Sequence, residues 1–156
     1  MKAVLQRVKE ASVSVDGNTV GQCNKGLMIL LGVAEGDTDH DAELLAEKIL
    51  KLRIFSDENG KMNLSVQDID GELLVISQFT LLADYSHGNR PSYTGSAKPD
   101  EANRLYEYFV SLVKGRVRHT GTGIFGADMK VALVNDGPVT IVMDSEILKK
   151  KSERKA

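Results

Sequence analysis

Few residues in this chain are suited to chemistry, and each competes with a plain structural use. Gly121-Thr122-Gly123-Ile124-Phe125-Gly126 fits the letter of a dinucleotide-binding loop. That chemistry requires a helix directly after the glycines, its N-terminal N–H groups aimed at a pyrophosphate. Here the following residues, Met129 to Val134, alternate as a strand, so a dinucleotide fold is rejected. A loop remains whose bare backbone a flat ligand can approach, with Phe125 as a stacking face. Thr80 ends an apolar run and carries a hydroxyl able to attack a carbonyl or donate a hydrogen bond. A Thr nucleophile needs an activating base, and none is legible, so a β-branched strand residue is the favoured reading.

The other reactive types are scattered. His40, His87 and His119 lie far apart and share no paired spacing with a cysteine or an acid, so no metal site is expected. Cys23 is alone, which rules out an internal disulfide and permits a reducing compartment; a bystander thiol is the expectation. Gly-x-Ser-x-Gly is absent. Arg90, Arg104, Lys114, Arg116 and Arg118 read either as a phosphate-tracking patch or as a solvated helix face with a basic end. Asn135-Asp136-Gly137-Pro138, set between Met129–Val134 and Val139–Met143, reads as a hairpin turn joining two strands.

The elements that must position these residues follow from hydrophobic patterning. At 156 residues, with 42% apolar and 27% charged residues, the chain is expected to form one domain with an aliphatic core. A formal charge of −2 argues against a binder held to nucleic acid by charge alone. No leader or membrane-spanning run is legible, and a cytoplasmic location is the expectation. Residues 2–8 and 11–15 alternate, Asp16-Gly17-Asn18 signals a hairpin, and Leu27–Val33 reads as a doubly buried strand. Thr38 or Asp39 caps a helix to about Lys51, and Pro99 opens a second with Ala102, Leu105, Tyr106, Phe109, Leu112 and Val113 on one face. Glu72 to Leu81 is expected to be one long central strand, and 83–98 a functional loop. The fold class expected is α+β, a mainly antiparallel, barrel-like sheet domain with two principal helices. Residues 1–146 form the domain and 147–156 a basic tail without fixed structure.

Taken together, Met1–Val8 with Ala11-Ser12-Val13, Ser77-Gln78-Phe79-Thr80-Leu81, Arg90-Pro91-Ser92, Gly123–Met129 and Asn135–Thr140 resemble the D-aminoacyl-tRNA deacylase family. The resemblance covers all but the last ten or so residues. It implies hydrolysis of the ester of D-aminoacyl-tRNA, and of mischarged glycyl-tRNA, without a cofactor. It implies a homodimer whose active sites are shared, with aminoacylated tRNA as partner and no membrane. On this resemblance Ser77, Gln78, Phe79 and Thr80 line the reacting ester, and Phe125, Gly126 and Met129 hold the terminal adenosine. Gly137 and Pro138, joined by a cis peptide, exclude L side chains from the other subunit's pocket, and Arg7 supports their loop. Attack is assigned either to the Thr80 hydroxyl or to water oriented by the RNA's 2′-hydroxyl, with the second preferred. A non-catalytic, dimeric nucleic-acid-binding module is the alternative.

Overall fold

The first strand, β1 (Lys2–Val15), is long enough to serve three neighbours. Its buried residues change face along the strand: Ala3 and Leu5 pack in the main core, and Val8, Ala11 and Val13 in a second apolar cluster. Register shifts against a partner strand fall where the two sets meet, between Gln6 and Glu10. On one edge, β2 (Asn18–Cys23) pairs antiparallel with Ala11–Val15, and β3 (Gly26–Gly32) with Lys2–Val8. The last strand, β8 (Lys130–Asp144), pairs antiparallel with β1 from Lys2 to Ser14. Residues 2–6 already serve β3, and a strand has one neighbour per edge, so β8 takes the opposite edge.

The remaining strands extend the sheet from β3. β6 (Glu72–Ser77) runs parallel to β3, and β7 (His119–Thr122) parallel to β6, in the order β2-β1-β3-β6-β7. Parallel neighbours need crossover connections, and the two long helices supply them. α1 (Asp39–Lys51) lies between β3 and β6, and α2 (Pro99–Val113) between β6 and β7. The sheet then curls until β7 meets β2. A Cβ on Gly21 would sit 2.1 Å from the Thr122 carbonyl oxygen, and one on Gly121 2.5 Å from that of Gln22. Only glycine permits this approach, and His119 Nε2 spans the same seam to the Gln22 oxygen at 3.0 Å. The result is the expected α+β barrel-like domain with two principal helices, although its sheet is mixed. A two-stranded pair, β4 (Phe55–Ser56) and β5 (Met62–Leu64), stands apart.

The structure, a computed structural model, describes residues 1–153 and corrects three expectations. Asn135–Pro138 is no hairpin, because both flanking runs belong to β8 and pair with β1 in the same direction. From Asn135 to Thr140 the chain advances five residues while β1 advances two, from Val8 to Gln6, so the segment is a wide bulge. Second, the central strand stops at Ser77, and Phe79–Leu82 forms a 3-10 turn. Third, Ser145–Glu153 is a helix, α3, where a tail without fixed structure was expected from 147; residues 154–156 lie outside the described residues.

A buried acid docks α3. Asp41 is fully buried; its Oδ1 accepts from Ser145 Oγ at 2.6 Å and Lys149 Nζ at 2.7 Å, and its Oδ2 from the Thr38 N–H at 2.9 Å. Ser145 Oγ accepts in turn from the Met1 amino group, which also contacts Asp37 Oδ1 at 2.7 Å. Burial works to raise the Asp41 pKa, but the Lys149 and Ser145 donors outweigh it and hold the carboxyl well below its ordinary range. A depressed folded-state pKa adds stability above the unfolded value, near 3.9, that is lost as pH falls below it. Asp41→Asn should therefore cost about 3 kcal/mol at pH 7, since it leaves buried donors poorly matched. Urea titrations from pH 7 to pH 2 should also show a shallower acid loss in the variant than in the parent.

Candidate functional site

A cavity of about 650 Å³ opens where β6 ends and the loop after β7 begins. One side is the strand end and 3-10 turn, contributing Ser77, Gln78 and Phe79. The other is the glycine-bearing loop, contributing Phe125, Gly126 and Met129. Two sets of residues about fifty positions apart are thus brought onto one cavity, because β6 and β7 lie side by side. Phe125 rests against Tyr106 of α2, with ring centroids 6.2 Å apart, and the Tyr106 hydroxyl donates to the Val75 oxygen at 2.8 Å. Burial pushes the Tyr106 hydroxyl up to about 12, so it stays a neutral donor. Met129 packs on a second apolar cluster that includes Met28, Leu74 and Ile76. This wall of the cavity is firm and apolar.

The turn is where polar chemistry is available. Ser77 ends β6, and the Gln78 N–H still reaches the Leu31 oxygen at 2.8 Å. The chain then tightens, with Leu81 N–H donating to the Gln78 oxygen and Ala83 N–H to that of Thr80. A 3-10 turn leaves its first N–H groups without internal acceptors. Those of Phe79 and Thr80 have no backbone acceptor among the described residues. Gln78 Nε2 donates to Thr80 Oγ1 at 2.6 Å, which fixes that hydroxyl. Thr80 is exposed and lies outside the cavity lining, so it is not the strand-end residue the sequence suggests. No histidine or carboxylate is bonded to it.

The 83–98 loop borders this region, tied across itself and pinned at its C-terminal end. Asp84 and Ser92 exchange backbone hydrogen bonds at 2.7 and 2.8 Å, and the Ala97 N–H reaches the Val33 oxygen at 3.0 Å. Ser96 Oγ donates to the Phe79 oxygen at 3.3 Å, and Tyr93 meets the Phe79 ring edge-on at 5.1 Å. Tyr93, Ser96 and Lys98 join the cavity lining, residues with no motif to announce them. Only their place in a Gly- and Ser-rich loop before the Pro99 helix start marked them.

Gly137 and Pro138 do not belong to this cavity on their own chain. They sit on the β8 bulge, joined by a cis peptide. Arg7 faces the bulge from β1; its Nε donates to the Asp136 oxygen at 2.8 Å and its Nη1 to the Ile54 oxygen at 2.7 Å. Asn135 Oδ1 accepts from the Val139 N–H at 2.9 Å, closing the bulge from the other side.

The remaining candidates fall away. Burial pushes the Cys23 thiol up to about 12, with the Glu72 charge adding to it, so the thiol is unreactive. Arg104 pairs with Asp39 and Glu101, Arg116 with Glu47, and Arg118 approaches Asp70 and Glu72, so most of the basic patch is neutralised in place. Among the described residues, His87 meets only Ser86. No group of three or more His, Cys, Asp or Glu side chains is placed to hold a metal among the described residues.

Comparison with known proteins gives a consistent picture. Residues 4–144 match the family described as D-Tyr-tRNA(Tyr) deacylase. The chain is 58% identical over 146 residues to a D-aminoacyl-tRNA deacylase of Thermosipho africanus, covering 94% of this chain and 98% of that one. A protein of the same name from Geobacter sulfurreducens is 56% identical over 146 residues, covering 94% and 96%. Among solved structures, the c-Myc DNA unwinding element binding protein aligns with a TM-score of 0.86 and 40% identity, covering 92% of this chain and 98% of that one. A probable eukaryotic D-amino acid tRNA deacylase, 16% identical, shares the fold with a TM-score of 0.78 over 92% of this chain and 98% of its own.

The bulge yields a stability test. Gly137 has φ +143°, a region L side chains rarely adopt, and a Cβ there would meet Val139 at 2.9 Å and Arg7 Nη2 at 3.1 Å. Gly137→Ala should destabilise the fold by about 1–3 kcal/mol, read as a lower urea midpoint at an unchanged slope.

Proposed function

Because the chain belongs to the D-Tyr-tRNA(Tyr) deacylase family, we propose that the cavity beside the Phe79–Leu82 turn receives the aminoacylated 3′ end of tRNA. The chain is a hydrolase of the D-aminoacyl-tRNA ester. The observation that carries the assignment of the site is the Phe79 N–H, without a backbone acceptor among the described residues, on a cavity whose other side is the apolar wall of Phe125 and Met129. In this reading the terminal adenosine lies along Phe125, Gly126 and Met129, and its ester points to the Ser77–Thr80 segment. Water adds to the ester carbonyl, and the charge that develops on its oxygen is met by the Phe79 N–H, with that of Thr80 next to it along the turn. The bond to the ribose oxygen then breaks, that oxygen takes a proton, and free D-amino acid and tRNA leave.

The RNA's 2′-hydroxyl orients the water. Thr80 is a positioning group here, because its hydroxyl is bonded to Gln78 and has no base to activate it. Arg7, Gly137 and Pro138 enter through a homodimer in which one subunit's bulge reaches the other's cavity. Two features support this: the bulge lies away from the cavity of its own chain, and β8 pairs on one edge only within the chain, with Val134 and Val142 exposed. The carbonyls flanking that motif would collide with an L side chain and leave a D side chain or glycine free, so mischarged glycyl-tRNA is also a substrate. The setting is the cytoplasm, where aminoacyl-tRNA is found; among the described residues, no helix is long and apolar enough to cross a membrane.

A non-catalytic nucleic-acid-binding module is the second reading, favoured by the name of the 40% identical c-Myc DNA unwinding element binding protein. Turnover separates the two. Purified protein should deacylate D-Tyr-, D-Asp- and Gly-tRNA catalytically and spare the matched L-aminoacyl-tRNAs, followed by loss of radiolabelled amino acid from tRNA. Stoichiometric binding without release would favour the module. Within the deacylase reading, Thr80→Ala should keep activity within about tenfold of the parent, since only a positioning hydrogen bond is lost. A substrate ending in 2′-deoxyadenosine should slow by about a hundredfold or more, as for loss of a transition-state group. The opposite pattern would restore Thr80 as the nucleophile.

A further inference from the structure

The mouth of the cavity holds a feature that the chemistry at the ester does not use. Phe79 is 55% exposed and Tyr93 37% exposed, and the two rings meet edge to face at 5.1 Å on the cavity lining. Exposed aromatic rings clustered at a polar rim mark a contact surface. Phe125, by contrast, is seated on Tyr106 and in the deacylase reading is already assigned to the terminal adenine.

Charge points the same way. Nucleic acid needs cations, yet Arg104, Arg116 and Arg118 are occupied by carboxylates. On the cavity itself, Asp128 is paired with Lys130 at 3.0 Å, whereas Lys98 forms no ion pair among the described residues. The lining thus combines two exposed rings and one unpaired cation, next to the place for a terminal nucleoside. Single-stranded RNA ends are held in this way, with successive splayed bases on successive rings and a cation on the intervening phosphate.

We propose that Phe79 and Tyr93 form a platform for the base of the nucleotide preceding the terminal adenosine, with Lys98 contacting the phosphodiester between the two. The inference rests on the deacylase reading of the cavity and extends its substrate contacts by one nucleotide. The platform makes the enzyme a reader of an RNA end rather than of an aminoacyl nucleoside.

The experiment compares two small substrates, the 3′-O-D-tyrosyl esters of adenosine and of cytidylyl-(3′→5′)-adenosine. For the parent, kcat/KM should favour the dinucleotide by roughly tenfold, in the range of one base–aromatic stack. Tyr93→Ala should bring that ratio close to one, and Tyr93→Phe should preserve it, because the ring and not the hydroxyl carries the contact. Lys98→Ala, a change at an exposed side chain, should lower the ratio and remove its dependence on salt. A parent ratio near one overturns the proposal, as does an unchanged ratio in both Tyr93→Ala and Lys98→Ala. So does loss of the dimer, by light scattering, in Tyr93→Ala with the ratio retained, which would make the rings a subunit contact. If the parent cleaves neither ester nor D-Tyr-tRNA, the deacylase reading itself fails and the platform with it.

Discussion

Both edges of β1 are committed, and most of the molecule depends on that double pairing. One edge carries β3 and then β2, the other carries β8 for nearly its whole length. Backbone groups left unpaired in such a frame would be costly, so an irregularity persists only where side chains take over the missing hydrogen bonds. Arg7 does this opposite the Asn135–Pro138 bulge. Its fork ties the Asp136 carbonyl to that of Ile54, which holds three distant stretches of chain at one point. A lysine, with a single ammonium on a flexible stem, lacks the geometry for both contacts.

The same economy governs the cavity. Parallel pairing of β6 with β3 and β7 sets the end of β6 beside the loop after β7. The strand cannot continue past Ser77, since the chain tightens into the Phe79–Leu82 turn, and that tightening frees the N–H groups of Phe79, on the cavity lining, and Thr80 after it. Polar capacity therefore comes from the backbone, while the side chains around it supply shape. Such a site needs few ionisable groups. That fits a chain whose single thiol is pushed out of the reactive range and whose histidines lie apart.

Conformational precision in this arrangement comes from the surroundings of the loops. The 83–98 segment is exposed along most of its length, yet Asp84 pairs with Ser92, and Gly95 and Ala97 are bonded to Glu35 and Val33 just after β3. Ser96 and Tyr93 then fix the outer side of the turn. The Asp41–Ser145–Lys149 cluster and the Met1 amino group join α1, α3 and the start of β1.

Much of this was legible in the residues. Thr38 and Pro99 marked the helix starts because capping and proline preferences are local, and the unbroken apolar run of β3 marked a strand buried on both faces. The motifs around Phe79, Phe125 and Gly137 identified the family, since their order along the chain is itself specific. Three features escaped, each for want of long-range information. Asn135–Pro138 carries turn residues, but whether such residues reverse a chain or bulge it depends on the partner strand, and β1 lies over a hundred positions away. Thr80 looked like a strand end because apolar patterning continues through Leu81, whereas the strand stops where its neighbour β3 runs out at Gly32. Residues 145–153 are too polar to signal a helix on their own, and it is the buried Asp41 of α1 that gives Ser145 and Lys149 something to hold. Sequence determined the elements with local causes and the identity of the motifs. Tertiary pairing decided which of those motifs share a cavity and which face away, because contacts between distant strands are written in no single stretch of chain.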